Sequence, residues 1–169
     1  QKEHQVTLEP QASLRPSEPS EPKNVSLKTF GGYFSENGYT VNCREIQHTK
    51  WSFILAGSAF GTVVTHDSLG FSYFLNSKNG RLTDFSGDIY SNLFGERLVC
   101  IKNGKRIDLI KTAVAMYVTP DLVIYSGRLG ESEYKIYVSV SEKYPIKYIR
   151  VVSESEMTLE YLAIPSDRE

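Results

Sequence analysis

From residue 25 onward, apolar and polar side chains alternate with a period of two, in short runs. Residues 39–43 (Tyr-Thr-Val-Asn-Cys) alternate behind an Asn37-Gly38 turn. Residues 53–56, 61–65 and 70–74 are β-branched or aromatic runs, punctuated by Gly57 and Asp67. Successive side chains of an extended chain point to opposite faces, so each run predicts a strand. Residues 97–110 predict a hairpin, because Asn103-Gly104 tolerates the positive φ that a type I′ turn demands. Further strands are predicted at 113–118, 122–128, 134–140, 146–152 (opening after Pro145) and 158–164. No window carries a sustained i, i+3, i+4 apolar stripe between caps, and the 11 tyrosines suit strands better than helices. About ten short strands with turn signals every 8–12 residues predict an all-β, antiparallel β-sandwich, with a barrel as the other topology.

Residues 1–24 break this pattern. Pro10, Pro16, Pro19 and Pro22 sit among Glu, Ser and Gln. So little apolar surface does not offset the entropy of ordering, which predicts a linker, or an arm that adds Val6 and Leu8 to a sheet edge. The remaining 25–169 form the sandwich domain.

The stretch 53–88 combines both kinds of surface. It reads as a strand, a turn at Asp67-Ser68, a second strand, and then a long polar loop. Four loop residues are candidates for holding a polar ligand: Asn76, Arg81, Asp84 and Asp88. Arg81 offers a planar fork of donors, and each aspartate accepts hydroxyl protons. The same letters also describe a plain solvated loop. Phe71, Tyr73, Phe74 and Phe85 flank the loop, as a stacking platform or as core.

Composition narrows the function. The 169 residues suffice for one domain, and 19 basic against 20 acidic residues leave no global field to steer the chain to nucleic acid or an anionic membrane. Apolar runs fall far short of the roughly 20 residues of a membrane helix. Cys43 and Cys100 are an isolated pair that reads as small buried residues, and His4, His48 and His66 show no metal-ligand spacing. There is no nucleophile elbow, and Gly31-Gly32 and Gly127-Arg-Leu-Gly130 match no phosphate-binding loop. Asp84 and Asp88 suggest paired carboxylates, but glycosidase carboxylates must face each other across roughly 5–10 Å, which loop spacing does not establish. The two are better read as hydroxyl acceptors. No self-sufficient active site is present, and no cofactor is expected.

The order of the segments resembles one family. Phe30-Gly-Gly-Tyr-Phe-Ser-Glu-Asn-Gly-Tyr, Trp51, Phe53-Ile-Leu-Ala, Phe60-Gly-Thr-Val-Val-Thr, Leu69-Gly-Phe-Ser-Tyr and Asn76-Ser-Lys-Asn-Gly-Arg-Leu-Thr are similar to the N-terminal β-sandwich of the inverting glycoside phosphorylases. That family includes cellobiose phosphorylase, β-1,2-oligoglucan phosphorylase and the phosphorylase-like end of cyclic β-1,2-glucan synthase. The likeness is greatest to the β-1,2-glucan branch, although Phe85 stands where that branch shows Trp and Gly87 where it shows Asn. It implies a mutarotase-like supersandwich, incomplete in this chain, beside a helical (α/α)6 barrel. In the family that barrel carries the general acid and the site of inorganic phosphate, the co-substrate of an inverting phosphorolysis. The expectation is a non-catalytic domain that supports the barrel, in its own protein or another subunit, and lends Asn76, Arg81, Asp84 and Asp88 to a β-glucan site. A free-standing carbohydrate-binding module and a structural or assembly domain are the alternatives.

Overall fold

The computed structural model describes residues 25–46, 49–84 and 95–166, and these fold into thirteen strands and a single 3-10 turn. In chain order the strands are β1 (Val25–Thr29), β2 (Gly32–Ser35), β3 (Gly38–Asn42), β4 (Ser52–Ala56), β5 (Phe60–Thr65), β6 (Ser68–Phe74) and β7 (Arg97–Lys102). After them come β8 (Lys105–Asp108), the 3-10 turn Ile110–Thr112, β9 (Ala113–Val118), β10 (Leu122–Leu129), β11 (Ser132–Val140), β12 (Lys147–Ser153) and β13 (Thr158–Leu162). Every pairing is antiparallel, as the period-two pattern predicts.

One layer is a seven-stranded sheet of order β1-β2-β3-β9-β10-β11-β12. Facing it are two three-stranded sheets, β4-β5-β6 and β13-β7-β8. Alternate residues of both layers meet between them: Val41, Met116, Val123, Tyr125, Ile136 and Val138 from the large sheet, and Leu55, Val64, Leu69, Leu98 and Cys100 from the smaller ones. The two buried tyrosines keep their hydroxyls satisfied. Tyr125 donates to the Thr65 carbonyl at 2.7 Å and Tyr134 to that of Leu109 at 2.6 Å. β4 crosses the large sheet, with Trp51 and Phe53 against Tyr39 of β3 at one end and Ser58 bonded to the Glu142 carbonyl beyond β11 at the other.

The two small sheets are joined by residues 81–84. Arg81 bridges Tyr73 of β6, and Thr83 bridges Pro165 just past β13. The Leu82 and Thr83 amides donate to the Ser72 carbonyl, and the Glu96 amide to that of Gly70. Partners therefore rise from 81 to 96 as β6 runs backward, and from 83 to 101 as β13 does. Residues 81–84 and β7 are two pieces of one strand line, and Gly95 lies against the Asp84 carbonyl where they meet. Residues 81–84 of the expected polar loop are thus paired backbone. They pair with neighbouring β6 on one side, and on the other Thr83 meets Pro165, a partner beyond the reach of a local pattern.

Most predicted strands match within a residue or two, and Asn103 and Gly104 have the expected positive φ of 52° and 70°. β1 and β2 lie where no individual strand was predicted, and the β5–β6 turn is at His66-Asp67, one residue early. Both cysteines are free thiols, and burial pushes Cys43 up to about 12. Residues 1–24 lie outside the described residues.

Gly70 makes the seam possible. Its φ is +66°, the β5–β6 register shifts beside it, and an added Cβ would lie 1.7 Å from the Val63 carbonyl oxygen. This bulge lets Leu69 and Ser72, three residues apart, both face inward. Gly70→Ala is expected to lose about 3 kcal/mol, combining left-handed strain with overpacking. Urea unfolding measures it, and a loss below about 1 kcal/mol would show that the bulge relaxes freely.

Candidate functional site at the seam of the second layer

The polar segment begins where β6 ends. Leu75 has a positive φ of 64° with its side chain mostly exposed, an unusual conformation for a non-glycine residue. Asn76 then folds the chain over. Its side-chain oxygen accepts the Lys78 and Asn79 amides at 3.1 and 2.7 Å, an Asx turn that uses the acceptor locally.

Arg81 lies on the outer face of the second layer. Its guanidinium stacks on Phe71, 4.5 Å from the ring centroid, and Asp84 sits 3.9 Å away. Beside it the Tyr73 ring lies over Gly61, where a Cβ would come within 2.4 Å of the ring. The Arg81 side chain is only 18% exposed, whereas that of Asp84 is 56% exposed. Among the expected ligands, the fold brings Arg81 and Asp84 together and puts Asn76 at the turn preceding them. Asp88 lies outside the described residues, as do Phe85 and Gly87. Phe71 is buried with a face occupied by arginine, while Phe74 is 41% exposed.

Beneath this surface lies a polar cluster that the sequence reading missed. Glu96, 1% exposed, accepts hydrogen bonds at one oxygen from Ser72 (2.6 Å) and Thr83 (2.9 Å), and at the other from Lys147 (2.5 Å). Lys147 also donates to the Thr62 hydroxyl at 2.9 Å and the Leu69 carbonyl at 3.1 Å. The Tyr161 hydroxyl, nearby on β13, also favours the charged form of Glu96. Burial alone would raise the Glu96 carboxyl. The Lys147 ammonium, as charge and donor, outweighs it with help from Ser72 and Tyr161, and holds Glu96 below its ordinary value. Burial draws Lys147 downward, against the pull of Glu96. The signal that could have found the pair is parity: Glu96 shares its phase with Leu98 and Cys100, and Lys147 with Ile149 and Val151.

The arrangement is a rigid donor and acceptor on a surface, held from below by a closed ion pair. Glu96 is buried away from any substrate, so its role is positional. Thr83 links the two levels, accepting the Ser72 amide at 2.8 Å while donating to Glu96. No group of three or more His, Cys, Asp or Glu residues able to hold a metal occurs among the described residues. No protein-family model matches this chain, and no curated protein matches it.

Removing one partner of a buried pair leaves the other charge uncompensated. Lys147→Met is expected to cost about 3–5 kcal/mol, and the double variant Lys147→Met/Glu96→Leu considerably less. A double-variant loss equal to the sum of the separate Lys147→Met and Glu96→Leu losses would mean that the pair is not coupled. Because the folded carboxyl value is depressed, the stability from Glu96 is fully present above its ordinary value of 4.5 and lost as pH falls through the lower folded value. Glu96→Gln should flatten that acid limb in pH-dependent unfolding, and an unchanged slope below pH 4.5 would reject the assignment.

Proposed function

We propose that this chain is the non-catalytic β-sandwich part of a glycoside-phosphorylase-like enzyme acting on β-linked glucans. Phosphorolysis belongs to a helical barrel outside this segment, and the sandwich supports that barrel and lends residues 76–84 to the saccharide site. One observation carries the reading: the motif that bears the family resemblance is held rigid at the surface. Asn76 shapes the turn, Arg81 lies over the Phe71 ring, and Asp84 stands beside it.

A guanidinium fixed beside a carboxylate is a preorganised donor–acceptor pair for sugar hydroxyls, and little side-chain entropy remains to be lost on binding. Residues 76–84 have the polar chemistry to wall a glucan subsite but no accessible acid–base pair to cleave it. Inorganic phosphate would enter as co-substrate on the barrel, not on this domain.

In the enzyme that joins this domain to its helical partner, Arg81→Ala should lower kcat/KM for glucan phosphorolysis by about 10–100-fold, as expected when a positioning contact is lost. Unchanged kinetics would remove the loop from the site.

A further inference from the structure

β4 is an open edge of the second layer. It pairs with β5 on one side, and the bonds from the His66 amide to the Trp51 carbonyl and from the Gly57 amide to that of Phe60 fix the phase of the ladder. Odd-numbered residues 51–57 therefore turn their backbone groups toward β5, and the N–H and C=O groups of Ser52, Ile54 and Ala56 point away from it. All three residues are exposed, and no strand lies on that side among the described residues. Such a row is a template for a further strand, and sheets ordinarily guard it with charge or proline. The other open edges are guarded, by Lys28 in β1, Lys105 and Arg106 in β8, Arg150 in β12 and Glu160 in β13. β6 is covered by residues 81–84. β4 reads Ser-Phe-Ile-Leu-Ala and has neither device.

Alongside that edge lies an apolar groove of about 570 Å³, with Phe34, Tyr39, Phe53, Val118 and Pro120 in its lining. Ile54 is 64% exposed, and Phe34 is 45% exposed although it stands on the same face as buried Tyr39. At the start of β4 the Trp51 indole N–H is buried without a hydrogen-bond partner among the described residues. A buried donor of this kind ordinarily has an acceptor.

The chain supplies a matching segment close by. Val25 pairs with Ser35, beside the 35–38 turn that lines the groove, so residues 1–24 join the fold next to the open edge. Within them Gln5-Val6-Thr7-Leu8-Glu9 alternates, with apolar groups at 6 and 8, and is followed by Pro10. β4 runs from Tyr39 of β3 toward the Glu142 carbonyl beyond β11, and β1 lies two strands past β3 on the starting side. A segment that lies along β4 and then leads to Val25 therefore runs antiparallel to it. Residues 10–24 span about 45 Å at roughly 3.1 Å per residue, well over the ~10 Å from β3 to β1.

We propose that residues 5–9 add to β4 as a further antiparallel strand, with Val6 beside Leu55, Thr7 beside Ile54 and Leu8 beside Phe53. That phase turns Val6 and Leu8 inward with Phe53 and Leu55, brings Leu8 to the groove, and sets Thr7 against Ile54 on the outer face. Gln5, Thr7 and Glu9 then exchange backbone hydrogen bonds with Ala56, Ile54 and Ser52. Pro10, which has no N–H, falls where the amide faces away from β4, a position that tolerates proline. A slip of one residue would turn Val6 and Leu8 to the outer face and put Pro10 in a bonding position. Alternation and proline thus select the same phase.

The test follows backbone amide hydrogen exchange by NMR in the full 169-residue chain and in its Val6→Asp/Leu8→Asp variant. The Ser52, Ile54 and Ala56 amides should exchange slower by about tenfold or more in the unaltered chain, because each gains a bond that the variant lacks. A cross-strand nuclear Overhauser effect should join Thr7 to Ile54 at every protein concentration. Equal exchange of Val123, in the middle of the large sheet, shows that the variant is folded. If Val123 differs, Thr7→Pro carries the same expectation, since it removes the donor to the Ile54 carbonyl. Equal exchange of the three β4 amides in chain and variant, absence of the Thr7–Ile54 effect, or protection on the free edge of β1 instead would overturn the proposal. So would protection that appears only as concentration rises, which would place a second copy on the edge. β4 lies apart from residues 76–84, so failure here leaves the phosphorylase reading untouched.

Discussion

A buried ion pair survives only where every lone pair and proton around it is matched, because removing two charges from water costs several kcal/mol per ion. Glu96 and Lys147 meet that condition with partners from both layers. Thr62 comes from β5, Leu69 and Ser72 from β6, Thr83 from the seam, Tyr161 from β13, and Lys147 itself from the edge strand of the large sheet. A one-residue slip of these strands would turn their apolar side chains outward and would also carry Lys147 or Glu96 to the other face, stranding the remaining charge in the core.

The surface chemistry follows from that constraint. Thr83 is one residue from Asp84 and two from Arg81, so fixing its hydroxyl on Glu96 fixes the backbone that presents both. Ser72 reaches the same carboxylate only because the bulge at Gly70 turns it inward. Rigidity at the seam is therefore a consequence of burial beneath it, and loop composition alone would not have produced it.

Much of this fold was legible in advance. Alternation located most strands, Asn103-Gly104 located its hairpin, and the lack of helical periodicity agreed with a chain whose described residues hold no α-helix. The site was legible only in part. Arg81 and Asp84 were selected for their chemistry and do lie together, but Asn76 looked like a ligand and caps its own turn. Glu96 and Lys147 were passed over because a charge at the end of a strand usually points to water. Both stood in phase with apolar neighbours, the one local sign that they face inward.

The amino-acid sequence by itself determined most of the strand segments and their turns, from β3 onward, because side-chain alternation and turn chemistry are set by neighbours a few residues away. Tertiary structure alone decided the order of strands in each sheet, the pairing of 81–84 between β6 and the end of β13, and the meeting of Glu96 with Lys147. Many strands share the same alternating pattern, so no local rule chooses among their pairings. The choice falls to the arrangement that buries the apolar faces together and leaves no interior charge without a partner.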